Sequence, residues 1–161
     1  MKICVYTALI GKNWGLIPQP QRRFSELDFI CFTDDHTLES EDWEIRYIDP
    51  ILVSDPTRSQ REIKLRPHRY LPKYDSSLYI DNTVEFSRPP EELIKELGER
   101  EKISLLKHSF RDTLYDEFIE VASQALDDQG RIYEQLLHYI LNNKKCLFEK
   151  PYWGGITYIL C

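Results

Sequence analysis

The sequence predicts an α/β protein built on a mainly parallel sheet with helices on both faces. Three observations lead there. Short apolar runs rich in β-branched and aromatic residues alternate with amphipathic helical patterns along the chain, as in strand–helix–strand units. The 161 residues suit a single domain, 1–161, able to bury one core. Three strand exits, Ala8–Gly11, Thr33–Asp35 and Asp81–Thr83, are small or polar, as at the carboxyl edge where such sheets bind ligands.

The elements follow in order. "KICVYTALI" reads as the first strand: nothing after it resembles a cleavage site, and Tyr6 and Thr7 suit a strand better than a signal core. "LDFICFT" is a second strand, closed by Asp34 and Asp35, and "WEIRYI" a third. "DPTRSQREIKLRPHRYLP" opens as a helix capped by Asp55 or Thr57, with Pro56 in its first turn and Pro67 at its end. "SLYIDNTVEF" is a fourth strand. "RPPEELIKELG" is a short helix with acids in its first turn and Gly98 at its end. "KISLLKH" is a fifth strand. Leu114, Phe118, Ala122 and Ala125 or Leu126 fall on one face of a helix, as do Ile132, Leu136 and Ile140 on the next. "GGITYIL" closes the chain as a strand.

Composition excludes several classes. The net charge of −6 argues against a nucleic-acid partner, although a local basic patch can still serve a small anion. No apolar run is long enough for a transmembrane segment. Of the four cysteines, Cys4 and Cys31 sit in apolar runs, which predicts buried thiols in a reducing compartment and hence a cytoplasmic chain. Cysteine and histidine spacing argues against zinc. "IGKNWG" lacks the glycine spacing of a phosphate loop, and no GxSxG, HExxH or dinucleotide fingerprint occurs. Trp14, Trp43 and Trp153 read as core, with Trp153 the exception to watch beside Gly154 and Gly155, which allow close backbone approach.

Three stretches carry candidate chemistry. Asp81 stands at the tip of a strand that reads as buried, where an unpaired charge is costly. Asp81 with Thr83 or Asn82 offers oxygen ligands for Mg²⁺ or Mn²⁺. The plainer reading, a turn made by Asp81 and Asn82, comes first on spacing alone. Between 57 and 73 the cations crowd, and on a helix Arg58, Arg61 and His68 share a face with Lys64 at its border. Such a stripe grips a diphosphate or is a solvated outer face. In "KHSFRDTLYDE", Lys107, His108 and Arg111 follow a strand, and periodicity favours a capping Asp112 with His108 a satisfied loop residue.

Taken together, "VYTALIG", "DFICFTDD", "DPTRSQREIKLRPHRYLPKYDSSLYIDNTVEF" and "KHSFRDTLYDE" resemble, in that order, the glycosyltransferase-like family that includes plant turgor-regulation and mucilage-related proteins. The resemblance runs from residue 2 to about residue 160. It implies an A-type (nucleotide-diphosphosugar transferase) fold, a Rossmann-like three-layer sandwich. It implies a metal-dependent, hexosyltransferase-like glycosyltransferase moving a sugar from a nucleotide-diphosphosugar donor to an acceptor hydroxyl. Its cofactor would be Mn²⁺ or Mg²⁺ on Asp81 and Thr83, the DxD-like positions. Thr7, Ala8 and Gly11 would lie against the nucleotide, Asp34 at the base or ribose, and Arg58, Lys64 and His68 toward the diphosphate. His108 and Arg111 would line the sugar or acceptor side, with Gly154 and Gly155 close to the ligand. Two departures qualify it. Asp81-Asn82-Thr83 lacks a second carboxylate, and the chain stops at Cys161 where related proteins continue, which implies a shortened chain or an open acceptor site. These departures favour the alternative: a degenerate, non-catalytic nucleotide-, glycan- or protein-binding domain of the same fold.

Overall fold

A computed structural model describes residues 1–11, 15–97 and 102–160. Trp14 and Gly98, read above as a core residue and a helix end, lie outside the described residues. The strands are β1 (Ile3–Leu9), β2 (Asp28–Thr33), β3 (Glu44–Tyr47), β4 (Ser76–Ile80), β5 (Ile103–Lys107) and β6 (Tyr152–Leu160). The α-helices are α1 (Pro56–Leu65), α2 (Pro90–Leu97), α3 (Leu114–Ser123) and α4 (Gln129–Asn142). The chain divides into two compact units, Met1–Leu105 with Gly155–Cys161, and Leu106–Gly154.

The six strands form one sheet in the order β3-β2-β1-β4-β6-β5. β1 pairs parallel with β2 and β4, and β2 with β3. β6 then enters antiparallel beside β4, Tyr79 opposite Thr157. At the ends of the β5–β6 pair the Leu160 N–H donates to the Lys102 carbonyl and the His108 N–H to the Pro151 carbonyl.

The expected mainly parallel, Rossmann-like three-layer sandwich of A-type glycosyltransferase kind is therefore corrected to a mixed sheet. The physical reason lies in the connections. Helices were expected on both faces of the sheet, but among the described residues the β1–β2 connection holds a short 3-10 turn, Pro20–Phe24. β2 reaches β3 through a loop with no helix. A strand that returns antiparallel needs no crossover helix, and α3 and α4 belong to the second unit.

In the first unit, side chains alternate across the sheet. Cys4, Tyr6, Ala8, Ile30, Phe32 and Tyr79 pack with Ile63 of α1 and with Leu71 and Tyr74. The Tyr6 ring meets Tyr79 edge-on at 5.3 Å. Its hydroxyl donates to the Lys64 carbonyl at 2.9 Å, satisfying an orphan carbonyl in the last turn of α1 and pinning that turn to the sheet. Phe29 meets Trp43 and Phe86. Gln19 is fully buried and uses both ends of its amide, donating to the Val84 carbonyl and accepting from the Phe86 N–H, which holds the chain beyond β4 in place.

α1 starts where its sequence says. The Asp55 carboxylate, not Thr57, caps it by accepting from the Arg58 N–H at 3.0 Å, and Pro56 occupies the first turn. Pro67 ends it, leaving His68 on a separate 3-10 turn, Pro67–Arg69. Gly11, at φ +90°, sits against Pro56, where an added Cβ would come within 2.6 Å of the proline Cβ. No L-residue with a side chain fits that approach without strain.

In the second unit, α3 opens with a reciprocal capping box between Thr113 and Asp116, so Thr113 rather than Asp112 is the cap. Phe118, Ile132 and Leu147 form a small buried centre, with Leu114, Val121, Leu136 and Tyr139 packed around it. Ala125 takes φ 51° just past α3. The Leu126 N–H reaching back to the Val121 carbonyl completes a left-handed helix stop there.

Candidate functional site

The site forms at the carboxyl end of β4, where α1 crosses it. Tyr79 and Asp81, two residues apart, leave the chain toward α1. Opposite them, Thr57, Gln60, Arg61 and Lys64 follow i, i+3, i+4, i+7 spacing, one stripe of a helix. These six residues line a cleft of about 270 Å³. Its lining carries two cations, Arg61 and Lys64, and one carboxylate, Asp81.

The hydrogen bonds run in one chain across the floor. Gln60 Nε2 donates to the Tyr79 hydroxyl at 3.1 Å. That hydroxyl also interacts with Asp81. Lys64 Nζ lies 3.3 Å from Asp81 Oδ1 and 4.4 Å from the centre of the Tyr79 ring, so one ammonium serves a carboxylate and an aromatic face. Burial, and then the Asp81 charge, pushes the Tyr79 phenol well above its ordinary range, so it stays a neutral donor. The Asp81 backbone is held twice: its N–H donates to the Gly155 carbonyl of β6, and its own carbonyl accepts from the Val84 N–H to close a turn. The carboxylate is thus aimed by backbone bonds and answered by Lys64. The pair is 19% and 35% exposed at its two side chains, and such a pair contributes on the order of 1 kcal/mol.

The remaining candidate residues are placed as follows. Thr7 and Ala8 are fully buried in β1. Ala8 packs in the core, and among the described residues the Thr7 hydroxyl has no hydrogen-bond partner. Gly11 donates its N–H to Asp34 Oδ1 at 3.0 Å, so Asp34 closes the β1 exit. Arg58 is paired with Asp55 at 3.1 Å, at the helix cap rather than in the cleft. His68 is exposed on its 3-10 turn. Gly155 supplies the carbonyl that fixes Asp81, whereas Gly154 is exposed. Thr83 is exposed on the Asp81–Val84 turn.

In the second unit, the His108 Nδ1 accepts from the Phe110 N–H at 3.1 Å, which leaves its Nε2 3.7 Å from Glu117. Arg111 reaches Glu117 at 3.4 Å and Glu120 at 3.1 Å, so it fastens α3 to the preceding loop.

Sequence reasoning missed Thr57, Gln60 and Tyr79. It took a stripe through 58, 61 and 68 with Lys64 at its border, although the i, i+3, i+4, i+7 register of 57, 60, 61 and 64 was present. Tyr79 gave no signal, because a tyrosine in an apolar strand reads as core.

No family model matches this chain. It is similar to a YcgL domain-containing protein, PMI1171, of Proteus mirabilis (strain HI4320), 45% identical over 53 residues. The match covers 33% of this chain and 55% of that protein, so the chain spans about half the length of the curated relative.

The functional expectation is corrected by these findings. The similarity leads to a YcgL domain-containing protein, not to a sugar transferase acting on a nucleotide-diphosphosugar, nor to a degenerate nucleotide-, glycan- or protein-binding version of that fold. The DxD-like, manganese-binding reading falls with it. Among the described residues no group of three or more His, Cys, Asp or Glu side chains is placed to hold a metal ion. Asp81 is answered by the Lys64 ammonium instead. No helix among the described residues is long and apolar enough to cross a membrane.

Proposed function

We propose that the first unit binds a small anionic molecule, one bearing a phosphate or a carboxylate, in the cleft between α1 and the end of β4. The observation that carries this reading is the convergence of Arg61 and Lys64 with the donors Thr57 and Gln60 above a buried tyrosine floor. An anion entering there meets two cations and two neutral donors on one rigid helix stripe. Charge-assisted hydrogen bonds to such an anion are about twice as strong as neutral ones. The Lys64 ammonium already lies over the Tyr79 ring, so part of its side-chain freedom is lost before binding.

Thermal-shift and calorimetric titration with inorganic phosphate and with acetate test the reading. Saturating anion should raise the unfolding temperature of the wild type, since a ligand at a hundredfold excess over its dissociation constant adds about 2.7 kcal/mol. Lys64→Met should weaken binding roughly tenfold, the loss of about one charge-assisted bond. Equal shifts in the wild type and in a Lys64→Met, Arg61→Met double variant, or no shift with either anion, would overturn it.

A further inference from the structure

The cleft contains a feature that a site for a simple anion does not need. Asp81 projects into the same space as Arg61 and Lys64, and its position is enforced. The bond from its N–H to Gly155 and the turn closed by Val84 fix the backbone, and from there the carboxylate reaches Lys64 at 3.3 Å. Tyr79 and Lys64 meet it from the floor and the helix. Lys64 is shared, because its 3.3 Å contact with Asp81 makes the carboxylate a competitor for the ammonium that an anion would use.

A bare anion arriving at Lys64 draws the ammonium away from Asp81. It then stands beside a carboxylate whose partner it has taken, and the two negative charges repel in a partly desolvated cleft. A ligand that also carries a protonated amine removes this conflict. Its amine replaces Lys64 at Asp81 while its anionic group takes Lys64 and Arg61. Every charge keeps a partner, and the Lys64 stem stays on the Tyr79 ring. The cleft of about 270 Å³ suits a compact charged group.

We infer that this cleft selects a small zwitterion, a phosphate or carboxylate joined by a short linker to a protonated amine, with Asp81 as the amine receptor that exchanges Lys64 for the ligand. This rests on the anion-binding reading above and adds the second charge. The same headgroup chemistry occurs free in solution and on a lipid surface, so both sources enter the test.

The experiment compares probe pairs that differ in the amine: phosphoethanolamine against ethyl phosphate, and 4-aminobutyrate against butyrate, titrated into the full chain by calorimetry. In at least one pair the amine-bearing member should bind about tenfold more tightly. Asp81→Asn, checked for cooperative unfolding, should bring that ratio toward one and leave the amine-free member bound as well as or better than before. Sedimentation with phosphatidylcholine vesicles, with and without phosphatidylethanolamine, assigns the source: retention only on the latter indicates a lipid headgroup, and binding of soluble phosphoethanolamine without retention indicates a free ligand. Measurable but equal binding within both wild-type pairs would overturn the zwitterion inference and leave the anion site standing. An absence of binding by all four probes would remove both. The wild-type ratios decide the matter even where the Asp81 variant fails to fold.

Discussion

The two compact units bury their apolar residues to very different depths. All of the largest fully buried side chains, from Tyr6, Tyr79 and Tyr158 to Ile63 and Leu71, belong to the unit that contains the sheet. The Leu106–Gly154 unit has only Phe118, Ile132 and Leu147 as the buried centre of its cluster, and it leaves Phe110, Leu126, Leu141 and Phe148 more than half exposed. A short helical pair has too little surface to enclose its own side chains, while a sheet covered by α1 encloses whole rings. The candidate cleft lies in the well-packed unit, where Lys64 and Asp81 are held by a rigid floor. The comparison teaches that a site depends on the packing behind it: Asp81 is aimed because β4 and β6 are locked together, and Lys64 because Tyr6 fastens the last turn of its helix.

The largest expected effect sets one core against the other. Leu78→Ala, at a fully buried position in β4, should cost about 3–5 kcal/mol, because transfer and cavity terms add. Ile132→Ala in the second unit should cost about 2 kcal/mol, since the partly exposed surroundings relax into the space. Denaturant titration gives both values. Hydrogen exchange should show the Ile132 variant losing protection within residues 106–154 while β1 and β4 keep theirs. Equal losses in the two units would break the comparison.

A smaller effect tests the electrostatics of the sheet unit. The Tyr74 hydroxyl donates to Asp28 at 2.7 Å and holds that carboxyl below its ordinary range, with Lys2 assisting. A depressed folded value stabilises the fold above the unfolded carboxylate value, and this contribution disappears as pH falls through the folded value. Tyr74→Phe should therefore cost about 1 kcal/mol at neutral pH, given the partly exposed Asp28, and flatten the acid limb of stability. Burial, and then Asp28, pushes the Tyr74 phenol up to about 12 from 10.0. That contribution is complete below pH 10 and is lost as pH rises toward 12, so the variant should also flatten the alkaline limb. Stability measured across both limbs checks the two signs together.

The smallest effect is a gain. Ala125 occupies the left-handed region at φ 51° after α3. Ala125→Gly should stabilise the second unit by about 0.5–1 kcal/mol, the relief of the Cβ strain less the extra entropy of the unfolded chain. A lower stability in that variant would mean that Ala125 gains more from its own contacts than it loses to its backbone.

Much of the local structure was legible in the sequence because it depends on near neighbours. Asp55, Pro56 and Pro67 bound α1 through capping and missing donors, which need no distant partner. Strand periodicity located β1 and β2 for the same reason, and the first half of the expected fourth strand, which ends at Ile80 where a turn replaces the expected run to Phe86. The cleft was legible only in part. The crowd of cations around Arg61 and Lys64 and the odd carboxylate of Asp81 both stood out, but the stripe was set one residue off its observed line. A helix face is defined by what it packs against, and Tyr79 and Tyr6 were needed to orient α1.

By itself, then, the sequence determined where strands and helices begin, which residues carry charge, and that Asp81 ends a buried strand. Those properties are written in side-chain volume, capping chemistry and backbone preference within a few residues. Only the tertiary structure decided that β6 returns antiparallel beside β4, that α3 and α4 belong to a second unit, and that Asp81 faces Lys64. Each of these pairs groups far apart along the chain. The free energy of such a contact depends on what the remaining elements leave uncovered, and no local pattern records that.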